Sequence, residues 1–261
     1  MANDTVIKTL VVAGILSVVC SALVSSSAVL LRPLQETNKD LDRKKNILQA
    51  AGTYDPDQPI EDQFSNFEIK VVDLATGKFR DDIDASTFDQ RKAAKSQDQG
   101  IAVPKKDDIA GLKRRSRYAL IYLANDGGQL DQLILPVHGK GLWSTLYGYL
   151  ALDKDLSTIN GFAFYQHGET PGLGGEVDNP RWKQQWVGKK AFDDQGNFKI
   201  EVLKGKTNPS SPDIDYQVDG LSGATITTRG VDSLLGYWLG NEGFGTFLTY
   251  LKSNQGGTPD G

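Results

Sequence analysis

The apolar and polar positions of this chain fall into one long uncharged run, a polar stretch, and then a series of short alternating segments. From Thr9 to Leu31 no residue is charged. At about 1.5 Å per helical residue that run reaches roughly 34 Å, enough to cross a hydrocarbon core. The expectation is a transmembrane helix at 9–31 behind a short tail at 1–8. A cleaved signal peptide is the alternative, but it has a shorter apolar region behind a basic leader, and Met1 to Lys8 carries one lysine and one aspartate. Val19, not a small residue, precedes Cys20, which argues against a lipoprotein site.

After the run, Thr37 to Ala51 has helical character, opened by Thr37 with Asp40 three residues on and closed by Gly52. Residues 53–63 contain Pro56, Pro59 and four acidic side chains, a linker composition. A connection at 32–63 and a domain at 64–261 follow from this. Within the domain, Phe67 to Val72 reads as a strand turned by Ala75-Thr76-Gly77, and Ala85 to Gln97 as a polar surface helix. Residues 97–117 are charge-rich and loop-like, and Lys113, Arg114, Arg115 and Arg117 form either a solvated surface or a contact for anionic lipid or a neighbouring protein of a complex. Tyr118–Leu123 and Leu130–Val137 flank Asn125-Asp126-Gly127-Gly128, a hairpin signal. Tyr147–Leu152 and Ile159–Tyr165 form a second strand pair around Asp153-Lys154-Asp155, and Lys199–Leu203 is a further strand.

Near the C-terminus the period changes from two to 3.6. Val231, Leu234, Leu235, Trp238 and Leu239 line one helix face, with Thr227 or Thr228 as the expected cap and Gly240 as terminator. Phe244–Leu251 reads as a last helix. Strands clustered ahead of helices, without βαβ alternation, predict an α+β domain with mainly antiparallel sheet and C-terminal helices.

Composition narrows the chemistry. The 261 residues have a formal net charge of -4, which argues against nucleic acid as a partner. The single cysteine lies in the apolar run and there are two histidines, His138 and His167, so a disulfide, a thiolate metal site and most histidine-based metal sites are not expected. Asp213, Asp215 and Asp219 fall short of a calcium loop, because the required glycine and closing glutamate are replaced by Val218 and Ala224. Ser222 lies outside a Gly-x-Ser-x-Gly elbow, and Gly168–Gly175 lacks the helix and acidic partner of a dinucleotide loop. No catalytic residue, no metal and no NADH site are assigned. Topology by charge count puts the domain in the cytoplasm, since Arg32, Lys39, Arg43, Lys44 and Lys45 follow the span and Lys8 and the free amine precede it.

The most informative stretch is Asp219-Gly220-Leu221-Ser222-Gly223-Ala224-Thr225, small residues ending in a hydroxyl at the start of an amphipathic helix. Unpaired N–H groups and the positive end of the helix dipole favour an anion there. The heptapeptide resembles the flavinylation motif Asp-x-x-Ser/Thr-Gly-Ala-Thr/Ser, whose last hydroxyl is joined to the phosphate of FMN by a separate flavin transferase. Together with Gly139-Lys140-Gly141-Leu142-Trp143 and His167-Gly168-Glu169-Thr170-Pro171-Gly172-Leu173-Gly174-Gly175-Glu176, it makes nearly the whole chain resemble the C subunit of sodium-translocating NADH:quinone reductases. The likeness extends more distantly to the G subunit of Rnf-type electron-transport complexes.

The resemblance implies one covalent FMN on Thr225 and an electron-relay role in a bacterial inner-membrane complex that oxidises NADH, reduces ubiquinone and pumps sodium. It implies a donor iron-sulfur centre on membrane subunits, an acceptor FMN on the B subunit, and a domain on the periplasmic side, against the charge count. Around the flavin, Gly172 and Gly174 would let main chain approach the ring and Leu142, Trp143 and Leu173 would supply apolar contact. Glu169 and Thr170 would bond the ribityl chain or ring edge. Lys206, with Lys204, would neutralise the phosphodiester, and Ser222, Gly223, Ala224, Thr227 and Thr228 would complete the attachment loop. His167 beside Glu169 invites an acid/base reading that electron transfer does not need. A tethered binding or assembly domain without covalent cofactor is the reading from a different class.

Overall fold

The computed structural model describes residues 6–255. The chain divides into two compact units, Met1–Arg43 and Lys44–Gly261. The expected short tail at 1–8 lies partly outside the described residues, and α1 (Val6–Ala51) begins before its predicted start. In the first unit the apolar side chains of α1 from Val6 to Leu34 are exposed. This helix is long and apolar enough to cross a membrane. The predicted break at Thr37 is absent. Its hydroxyl donates to the Pro33 carbonyl at 3.1 Å, bonding back along the helix instead of capping a new one. The helix ends where the sequence places the end, with Gly52 at φ 72° and Thr53 N–H donating to the Leu48 carbonyl at 3.0 Å.

The second unit corrects the expected boundary at residue 64. Ile47, Leu48, Ala50 and Ala51 at the end of α1, with Phe64 of α2 (Ile60–Phe64), are buried on one face of the main sheet. The end of the helix expected at 37–51 therefore carries part of the core. That sheet is made of β1 (Phe67–Asp73), β4 (Tyr118–Asp126), β5 (Gln129–Lys140), β6 (Thr145–Asp153) and β7 (Ile159–Gln166). The five strands lie in that order, each antiparallel to its neighbour. Between β1 and β4 lie α3 (Gln90–Lys95), β2 (Gly100–Ala102) and β3 (Arg114–Ser116), the last two forming a small antiparallel pair. After β7 come α4 (Pro180–Gln184), the parallel pair β8 (Glu201–Val202) and β9 (Gln217–Val218), then α5 (Thr225–Leu239) and α6 (Gly245–Gln255).

The main sheet is covered on both faces, which is why β4 to β6 read as near-continuous apolar runs. Val71, Leu120, Tyr122, Ile134 and Tyr149 point to the layer of α1 and α2. Val72, Ile121, Leu133, Leu135, Val137 and Leu150 point to α5 and α6, where Val231, Leu234, Leu235, Trp238 and Phe247 meet them. Each such large side chain, once buried, contributes about 1.5–3 kcal/mol. Trp238 also donates from Nε1 to the His138 carbonyl at 2.6 Å, fixing the rotation of α5 against β5. The β4–β5 hairpin turns at Gly127-Gly128 with φ 57° and 83°, the two positive angles that a tight hairpin turn of this hand needs.

The polar helix expected at 85–97 contracts to α3, because the Asp89 carboxylate caps it by accepting from Arg91 and Lys92 N–H, both at 3.0 Å. The cationic run at 113–117 is mostly internal bracing. Arg114 donates to the carbonyls of Ala94, Ser96 and Gly100, Arg115 is buried, and Arg117 pairs with buried Asp73 at 3.1 Å.

Candidate functional site

Two loops and one helix start meet at Glu169, and a third loop touches the second at Leu173. The first, 141–144, joins β5 to β6; the second, 167–175, leaves β7; the third, 219–224, leads into α5. The Glu169 side chain is 6% exposed and accepts four hydrogen bonds. Its Oε1 takes the N–H groups of Trp143 (3.0 Å) and Ser144 (3.2 Å), and its Oε2 takes that of Leu142 (3.2 Å) and the Thr227 hydroxyl (2.6 Å). Burial pushes its pKa up. The Thr227 hydroxyl and the three amides outweigh that and hold the carboxyl below its ordinary range. The space is made by missing side chains: a Cβ on Gly174 would lie 2.5 Å from Thr227 Oγ1, and one on Gly141 would lie 2.6 Å from Glu169 Oε1.

Further bonds hold the remaining loops. Ser144 Oγ accepts from Gly168 N–H at 2.6 Å. Asp219, the first residue of the heptapeptide, accepts from the Thr207 N–H (2.7 Å) and hydroxyl (2.8 Å) through one oxygen, tying down the strand-to-loop segment that carries Lys204 and Lys206. Its own carbonyl accepts from Trp182 Nε1 at 2.8 Å and its N–H donates to Gln185 at 3.0 Å.

The helix begins earlier than its sequence signals. α5 starts at Thr225, with Ala224 in the capping position and no side chain capping the first turn. Thr227 and Thr228, the expected caps and flavin contacts, are buried instead. Thr227 donates to Glu169, and Thr228 Oγ1 accepts from Leu221 N–H at 3.0 Å, folding the loop back on the helix. Their hydroxyls are engaged inside the protein, and so is the Glu169 carboxylate that the sequence places at the flavin edge. Thr225 itself is exposed, as are Ser222 and Gly223, while Ala224 is buried.

The neighbouring loops expose apolar side chains. Leu142 is 40% exposed, Trp143 68% and Leu173 45%. Leu173 Cδ2 lies 3.0 Å from where a Gly223 Cβ would be, so the second and third loops touch. Thr170, Gly172 and Lys206 are exposed, and Gly172, at φ 76°, faces open space. Gly174 serves the packing of Glu169 against α5. His167 pairs with Asp178 at 2.7 Å and accepts the Glu169 N–H on Nδ1 at 3.2 Å, so it forms no dyad with the Glu169 carboxylate. Among the described residues no group of three or more His, Cys, Asp or Glu is placed to hold a metal ion.

Sequence reasoning misses Ser144, Thr207 and Ile226, the last exposed beside Thr225. Ser144 directly follows the Gly139–Trp143 stretch and Thr207 directly follows Lys206, so adjacency to a motif is the available signal. The arrangement suits a phosphorylated planar ligand. An anion would meet the uncapped first turn of α5 at an exposed threonine, and a ring would meet the exposed apolar side chains.

Comparison with known proteins agrees with this geometry. Residues 141–240 match the FMN-binding domain family, a span that holds all three loops and α5. The chain is 49% identical to the C subunit of the Na(+)-translocating NADH-quinone reductase of Pseudomonas aeruginosa over 98% of its own length and 100% of that protein. It is 42% identical to the protein of that name from Vibrio alginolyticus, over 97% and 98% of the two chains. Among solved structures, the crystal structure of Shewanella oneidensis NqrC superposes with a TM-score of 0.75 at 38% identity, covering 83% of this chain and 99% of that one. With the first two identities spanning nearly the full length of both chains, this protein belongs to the family of C subunits of the Na(+)-translocating NADH-quinone reductase.

Proposed function

We propose that this chain is a membrane-anchored flavoprotein subunit that carries one FMN on Thr225 through a phosphoester bond and relays electrons between neighbouring redox centres of its complex. The observation that carries the reading is an exposed threonine at the first residue of an α5 helix that no side chain caps, inside the segment matching an FMN-binding domain. Bound FMN supplies the electron-accepting and electron-donating chemistry. The residues of this chain would hold and orient it: first-turn N–H groups of α5 would take the phosphate, Lys206 would balance its charge, and Leu142, Trp143 and Leu173 would cover the ring. Ser222 and Gly223 leave the approach to the hydroxyl open for a flavin transferase. On this reading the complex oxidises NADH, reduces ubiquinone and pumps sodium, with iron-sulfur membrane subunits as donor and the FMN of the B subunit as acceptor.

The domain is placed on the periplasmic side of a bacterial inner membrane. Lys44 and Lys45 belong to the folded unit, and folded domains translocate largely regardless of charge, which weakens the cation count that favours the opposite orientation. Alkaline phosphatase fused after Gly261 is expected to be active; a well-expressed inactive fusion reverses the orientation. Intact-mass analysis after expression with a flavin transferase tests the attachment, with a gain of one FMN less water expected. Thr225→Ala should remove that gain and leave the fold intact, and Thr225→Ser should keep part of it. Flavin retained by Thr225→Ala after denaturation would show that another residue is modified.

A further inference from the structure

We propose that Glu169 is a positioning residue, a buried clamp that holds the loop presenting Leu142 and Trp143 in register with the helix start presenting Thr225, before any flavin is attached. The clamp rests on the reading of Thr225 as the FMN site and deepens it.

Residues 142–144 invert the usual arrangement of a loop. Loops ordinarily turn polar backbone outward and apolar side chains inward. Here the N–H groups of Leu142, Trp143 and Ser144 all point inward to one carboxylate, and the Leu142 and Trp143 side chains point out. Such a loop needs an internal acceptor with enough lone pairs for several donors, and an ionised carboxylate has them. Three amides alone would hold the loop to Glu169 but not to the helix. The fourth donor, Thr227 Oγ1, supplies that link, because it sits two residues after Thr225 in the first turn of α5.

The charge of Glu169 meets no cation in the described ion pairs, so it is stabilised by N–H and O–H dipoles alone. A buried carboxylate of that kind is costly unless every lone pair is used. If the site only needed filling, an apolar side chain would do so at less cost, but it would orphan three amides and let the loop turn over. The glycines at 141 and 174 reinforce this, since any side chain at either position would strike the clamp. The outward Trp143 and Leu142 are then a consequence of the inward carboxylate. The seat for a flat ligand is thus held by bonds within the chain.

The full chain in detergent, made with and without a flavin transferase, provides the test. The variants are Glu169→Gln, Thr227→Val and Thr227→Ser. In flavin-free protein, hydrogen exchange at the amides of 142–144 should accelerate roughly 10-fold or more in Glu169→Gln, with amides of the main sheet unchanged. Thr227→Val should accelerate it less, and Thr227→Ser, which keeps the hydroxyl, should match the wild type. In flavinylated protein, the visible circular dichroism of FMN should fall toward that of free FMN in Glu169→Gln even where the mass shows flavin attached. Unchanged exchange together with an unchanged flavin spectrum in Glu169→Gln would overturn the clamp. Should that variant not fold, Thr227→Val decides, and wild-type behaviour there overturns the proposal equally. A wild-type chain that gains no flavin mass refutes the attachment reading, while the exchange measurement still judges the clamp independently.

Discussion

Replacing Gly230 by alanine sets two effects of known sign against each other. Gly230 lies in α5, one turn beyond Thr227, and a Cβ there would run into the Lys140 carbonyl oxygen and lie 3.3 Å from Gly141 Cα. Glycine to alanine inside a helix is ordinarily stabilising by about 1 kcal/mol. The clash is with backbone on both counts, so no side chain can swing away. Either α5 or the end of β5 must move, a distortion of the kind that typically costs about 1–3 kcal/mol or more. The steric effect outweighs it over most of that range, leaving a net loss of up to about 2 kcal/mol, or up to about 8 °C in Tm for a domain of this size. Thermal unfolding of the full chain in detergent, followed by near-ultraviolet circular dichroism from the tryptophans, measures it. Because the moved elements carry Thr225 and Leu142, flavin incorporation should fall along with Tm. A Tm that rises by the amount helix propensity alone gives would refute the close-packing argument.

Two further outcomes follow from polar groups engaged inside the fold. Asp219→Ala removes the acceptor of both Thr207 bonds, so the segment holding Lys204 and Lys206 should loosen, with a loss of roughly 1–3 kcal/mol; trypsin should then cut at these lysines faster than in the wild type, and an equal rate would refute the tie. The His138 ring lies against Tyr147 and Trp238, with centroids at 5.4 and 4.9 Å, and burial, followed by the charge of Arg91, lowers its pKa from 6.5 to about 4. The unfolded chain therefore takes up a proton that the native state refuses. This group's contribution to stability is intact above pH 6.5 and is lost as the pH falls from there toward about 4. Urea midpoints measured across that interval should drop less steeply for His138→Asn than for the wild type, and parallel slopes would show that the ring titrates normally.

Much of the architecture follows from local rules that the chain obeys. The apolar run of α1, the Gly52 terminator, the Gly127-Gly128 hairpin and the one-sided face from Val231 to Leu239 are each set by residues a few positions apart, and the structure keeps them. Short-range periodicity and turn chemistry suffice there, because the alternatives would expose apolar side chains or demand positive φ of other residues. The heptapeptide from Asp219 to Thr225 is equally legible as a contiguous pattern, and α5 starts at its last residue.

The tertiary structure alone decided which polar groups stay at the surface and which bond each other. Glu169, Thr227 and Thr228 read as flavin contacts or helix caps in one dimension, yet each is buried with its side chain engaged inside the protein. Glu169 and Thr227 are 58 positions apart, and nothing in either's neighbours announces the bond. The same holds for residues 47–51, which the sequence reads as the end of a charged helix and the sheet buries. Sequence specifies elements through neighbours along the chain, whereas the use of a polar side chain depends on what the fold brings within about 3 Å of it. At this site that distance separates a ligand contact from a clamp.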